Sequence, residues 1–133
     1  MDTRPPALDS ALVNEIVLKA HSDLNRVQEL VAQEPALVNA SWDWGGGDWE
    51  TPLGSAAHMG RRDIAEYLLA HGARLDLFAA AMLGQLETVR AILTAFPAMK
   101  EAKGPHGIPL MVHAQQGGPE AAAVVDYLTA LAE

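Results

Sequence analysis

At 133 residues and half apolar, the chain has the length for one domain and the hydrophobicity to bury a core, which excludes a disordered segment. Its formal net charge of −8, with nine scattered lysines and arginines, sets the overall field against phosphate backbones and anionic lipid, so neither nucleic acid nor membrane is an expected partner. With no cysteine there is no disulfide, thiolate nucleophile or cysteine-ligated zinc.

The N-terminus, MDTRPPALDS, carries no apolar signal segment, and no apolar run approaches the ~18 residues of a membrane span. A soluble, cytoplasmic protein is therefore expected. The next stretch, VLKAHSDLNRVQELVAQEPALVNA (Val17–Ala40), reads as a helix, a turn at Asp23 and a second helix. Then comes SWDWGGGDWE (Ser41–Glu50), which holds all three tryptophans of the chain around three glycines.

TPLGSAAHMGRRDIAEYLLAHGA (Thr51–Ala73) is the clearest unit. Thr51 is a cap, and Pro52 stands at the first helical position, where a missing N–H is harmless. Leu53, Ala56 and Ala57 form an apolar stripe, Gly60 breaks the helix, and Ile64, Tyr67, Leu68 and Leu69 set a second helical period up to Gly72. LFAAAMLGQLETVRAILTAFPA repeats this pattern with Gly84 in the place of Gly60, and IPLMVHAQQGGPEAAAVVDYLTAL repeats it with Gly117. Arg61 and Arg62 read as solvated turn residues. Lys19, Asn25 and Gln28 on the first unit, and Asp126, Thr129 and Glu133 on the last, supply polar outer faces.

On these residues the chain resembles the ankyrin repeat family, whose repeat of about 33 residues carries a T-P-L-H-x-A signature. TPLGSAAHMG matches it with Gly54 in the histidine position, IPLMVHAQQGG keeps the Pro-Leu core, and EPALVNA is similar to a repeat ending. The resemblance implies an all-α solenoid of about four helix-turn-helix units, at 11–40, 51–74, 75–100 and 108–131, in a single stand-alone domain. It also implies loss of a loop-tying histidine at Gly54, and recognition of a protein partner through the concave groove and the fingers between units.

Spacing then isolates one irregularity. Gly84 and Gly117 stand one standard repeat apart, whereas Asp23 and Gly60 are further apart and Gly60 and Gly84 closer. The finger before the second unit is thus enlarged into a β-hairpin, and the one before the third is nearly absent. With a two-residue turn at Gly46–Gly47, Trp44 pairs with Trp49 and Trp42 shares their face, while Asp43, Asp48 and Glu50 take the other. A three-glycine turn places Trp42 and Trp44 opposite Trp49. The first register is preferred, with the rings folded over the Leu75–Phe78 corner. No GK[ST] follows, so a phosphate loop is excluded.

Among the histidines, His21 and His58 hold equivalent places late in the first helices of their units, facing the concave side, with Met82 and Gln115 in the later ones. His58 lies within reach of the finger, which allows a histidine–tryptophan–aspartate pocket. His106, in GPHGIPL, is placed at an exposed finger tip. His113 aligns with Ala56 and is either buried against a loop or lining the groove; His71 lies near a helix end. Neither HExxH nor a comparable spacing is present, and Ser41 and Ser55 lack a G-x-S-x-G setting, so no metal, cofactor or catalytic residue is assigned. The preferred function is non-catalytic protein binding as an adaptor or regulator, with Trp42, Asp43, Trp44, Asp48, Trp49, His58, Met82, His106 and His113 near the contact. The alternative is a small-molecule-binding protein or enzyme built on a His/Trp/Asp pocket beside the finger.

Overall fold

A computed structural model describes residues 3–133; Met1 and Asp2 lie outside them. The described residues form eight α-helices in four consecutive pairs: α1 (Ser10–Lys19) with α2 (Leu24–Gln33), α3 (Pro52–His58) with α4 (Arg62–Ala70), α5 (Leu77–Met82) with α6 (Leu86–Ala95), and α7 (Leu110–Gln116) with α8 (Ala122–Ala132). The first helices of the pairs touch in series, α1 on α3, α3 on α5 and α5 on α7. None of the eight is long and apolar enough to cross a membrane.

Local chemistry explains the helix starts. Asp9, Asp23, Thr51 and Asp76 each accept a backbone N–H of the first turn of α1, α2, α3 and α5, at 3.0, 3.0, 3.0 and 2.8 Å. Asp23 is therefore the cap of α2. Gly60 and Gly84 leave α3 and α5 with φ of 67° and 78°, the left-handed turn that sends the chain back antiparallel. In the fourth pair that conformation belongs to Gly118 (φ 65°), not to Gly117 as the repeat spacing predicts. Gly117 is right-handed (φ −72°), and its missing side chain lets the carbonyl of Met82 sit where a Cβ would otherwise be.

Two apolar clusters fill the interior. Ile16, Val27, Leu30, Leu53, Ile64 and Leu68 anchor the first, and Leu77, Val89, Leu110, Val124 and Leu128 the second. Fully burying one such side chain contributes about 1.5–3 kcal/mol. Met82 belongs to the first cluster although it sits in the third pair, so it seals the seam between the two.

Polar side chains tie the pairs where apolar contact ends. Asn39 donates to the Gly72 carbonyl and accepts from the Arg74 N–H, both at 2.9 Å, linking the loops after α2 and α4. Arg61 and Arg62 are stitches rather than solvated turn residues. Arg61 donates to Ser22 O at 2.8 Å, and Arg62 donates to Leu83 O at 3.2 Å while pairing with Glu120 at 2.8 Å.

Candidate functional site

The finger rises between α2 and α3 as a hairpin of β1 (Trp42–Asp43) and β2 (Trp49–Glu50). Its register pairs Trp42 with Glu50 and Asp43 with Trp49, and Trp44 N–H donates to Asp48 O. This is the three-glycine turn, so the preferred pairing of Trp44 with Trp49 is corrected. The cause is Asp43. Its Oδ1 accepts the N–H groups of Gly45 and Gly47 at 2.8 and 3.0 Å, and all three glycines take positive φ. Glu50 moves to the face of Trp42 and Trp44 and away from Asp43, while Trp49 turns outward.

The three rings meet different fates. Trp42 packs against the first core cluster, Trp44 is 37% exposed and Trp49 is 59% exposed. They do not cover the Leu75–Phe78 corner. Leu75 stays exposed, and a cleft of about 350 Å³ opens instead, with Trp49 and Asp48 on one side and Phe78, Asp76, Lys103 and Pro105 on the other.

Behind the finger lies a cluster that the sequence reading caught only in part. The Glu50 side chain is fully buried. The Nε2 atoms of His21, His58 and His106 approach its carboxylate at 3.3, 2.9 and 3.4 Å. Trp44 Nε1 donates to Glu50 Oε1 at 2.9 Å. His58 stands edge-on to His21 and to His106, with ring centroids 4.9 and 5.4 Å away. Burial by itself opposes ionisation of Glu50, but the contacts from His21, His58 and Trp44 outweigh it and hold the carboxyl well below the usual carboxylate range. The same Glu50 raises the pKa of His21.

Each part of this cluster has a local reason. His21 follows α1, and its Nδ1 faces the Val17 and Leu18 carbonyls at 3.0 and 2.9 Å. His58 ends α3. His106 sits in the loop before α7 in the left-handed region (φ 61°), strained for a residue with a side chain. Asp48 holds it there. One carboxylate oxygen accepts the His106 N–H at 2.7 Å and the other meets Nδ1 at 2.6 Å. Led by that backbone N–H, His106 lowers the Asp48 pKa. His106 is exposed, as expected for a loop tip, and is in addition tied to the enlarged finger.

Gly54 lies against this arrangement. A Cβ there would already touch Pro105 and Thr51 at 3.4 Å and Glu50 at 3.7 Å. The finger is tied to the 104–107 loop by the bonds between Asp48 and His106.

Two residues expected at the contact lie elsewhere. Met82 is wholly buried, which withdraws it from any partner. His113 is also wholly buried; its Nδ1 meets Pro109 O at 2.9 Å and its ring lies 4.8 Å from Phe78. Burial lowers its pKa and keeps it neutral. His71 bonds Tyr67 O within α4, apart from the cluster. Of the residues named from sequence, Trp44, Asp48, His58 and His106 converge, joined by His21 and by Glu50, which had been assigned to the opposite face.

The ankyrin repeat family model matches residues 48–79, which span the second strand of the finger, α3, α4 and the start of α5. A comparison with curated proteins finds no match.

Proposed function

We propose, with an ankyrin repeat protein as the premise, that this chain is a non-catalytic recognition module that holds a protein partner at its finger cleft. Ankyrin repeats are in general protein–protein interaction modules. On this reading the four pairs, at 11–40, 51–74, 75–100 and 108–131, stack as one solenoid domain.

The observation that carries the proposal is Trp49. It is the most exposed of the three tryptophans, and it stands on a hairpin whose other face is anchored by Trp42 and Glu50. A rigid aromatic beside a cleft loses little conformational entropy on binding and supplies a large contact area, the usual makeup of a hot spot. Phe78 offers an apolar floor, and Asp76 and the overall acidity favour a partner segment with an apolar side chain flanked by basic ones. A small-molecule or catalytic pocket has less support, because the histidine Nε2 atoms turn toward Glu50 and not into the cleft.

The test is affinity. Partners recovered from the source cells by cross-linking are purified and titrated by calorimetry against wild type and Trp49→Ala. Binding about 30-fold weaker in the variant, with an unchanged thermal midpoint, supports the reading. Equal affinity overturns it.

A further inference from the structure

We infer that His21, Glu50, His58 and His106 form a structural site for a zinc-like divalent cation that clamps the finger to the helices. Four potential ligand atoms, one from each residue, lie within 4.8 Å of one another.

Three observations point to a cation. The first is spacing. Two ligands of a tetrahedral zinc with bonds of about 2.0–2.1 Å stand roughly 3.3–3.4 Å apart. The Nε2-to-carboxylate separations are 3.3 and 3.4 Å to Oε1 from His21 and His106 and 2.9 Å to Oε2 from His58, with all four ligand atoms within 4.8 Å, so inward side-chain shifts of about 1 Å complete the set.

The second is an unmet need. Glu50 Oε2 and His58 Nε2 are buried 2.9 Å apart, yet neither has a hydrogen-bond partner; the approach lacks the alignment of a hydrogen bond. Such atoms are costly to bury unless something between them accepts both lone pairs.

The third is the outer shell. Nδ1 of His21 faces backbone carbonyls and Nδ1 of His106 faces Asp48, acceptors that each require the ring proton on that nitrogen. Nε2 of a neutral ring is then left with its lone pair aimed at the carboxylate. The His106–Asp48 pair is the carboxylate–histidine arrangement that orients metal ligands, and Trp44 steadies the carboxylate through Oε1.

Three imidazoles and one carboxylate suit a borderline cation such as zinc, not calcium or magnesium, which take oxygen sets. Four protein ligands close the coordination sphere, so the role is structural. The ligands come from the end of α1, the finger, α3 and the loop before α7, so one ion would pin three of the four pairs around the cleft. This inference does not rest on the protein-recognition reading.

The experiment uses the full chain, stripped with chelator and titrated with zinc by calorimetry and with Co(II) by absorption. Wild type is expected to bind one ion per chain at micromolar affinity or tighter, with the intense visible bands of four-coordinate cobalt and a raised thermal midpoint. His106→Gln, at a surface loop that can change without unfolding the helices, should weaken binding at least ~100-fold. Asp48→Asn should weaken it about 10–100-fold through the outer shell. His71→Gln, outside the cluster, should bind as wild type. No stoichiometric binding by folded wild type, or equal binding by His106→Gln, overturns the site and leaves a proton as the occupant of the histidine–carboxylate contacts.

Discussion

The helical pairs and the finger solve the same problem, joining one element to the next, by opposite means. Between pairs the joints are mainly apolar and dense: Leu53, Ala56, Ala79 and Met82 are buried, and the buried Ser55 hydroxyl donates to the Val17 carbonyl beside them. At the finger the joint is a buried carboxylate facing three imidazoles and an indole N–H. Apolar joints are non-directional and forgive small shifts, whereas a buried charge binds its neighbours only in one geometry. The comparison teaches that the slab supplies stability and the finger supplies position.

The largest effect should come from the slab. Ile64→Ala leaves a cavity at the centre of the first cluster and should lower unfolding free energy by about 2–5 kcal/mol in urea titrations. A loss under 1 kcal/mol would show that the joints are not close-packed. Thr51→Ala removes the hydroxyl that caps α3 and should cost about 1 kcal/mol in the same titration, as it lies where finger and slab meet.

The third prediction concerns acid. His113 has a folded pKa below its ordinary value, so the unfolded chain binds more protons. Its contribution to stability is complete above about pH 6.5 and declines as pH falls below that value. Wild type should therefore lose more stability between pH 7.5 and 5 than His113→Phe. Equal losses would mean that the ring is not held neutral. The smallest effect belongs to Trp49→Ala, which should change the thermal stability by no more than about 0.5 kcal/mol. A large drop would mean that the outward ring is part of the finger's support.

Much of the slab is legible in the residues because its rules are local. A cap at Thr51, proline at the next position and glycine at Gly60 and Gly84 act within a few residues of themselves, and the helices start and stop there. The enlarged finger and the short third connection follow from spacing alone. The finger's register does not, since it turns on which of two glycine turns Asp43 stabilises. The aspartate immediately before Trp44 and the glycine run was the available signal, because such side chains bond backbone N–H groups two residues on.

The cluster was less legible still. His21 and His58 were seen as equivalent positions on successive units, which is why they meet. Glu50 was read as an outward acid only because the register was shifted by one pairing. His106 required knowing that a loop before the fourth pair reaches past the third, a contact that no sequence spacing encodes. Met82 and Arg62 were misjudged for the same reason: their surroundings come from a neighbouring pair rather than from their own helix.

The short connection between α4 and α5 has one more consequence. Where helical pairs contact only their neighbours, the ends can fray one at a time. Here the bond from His106 to Asp48 leaps over a unit, and α7 touches α3 directly. Melting of the last pair would have to break links to the finger and to α3, so the four pairs should unfold more nearly all at once than pairs that contact only their neighbours.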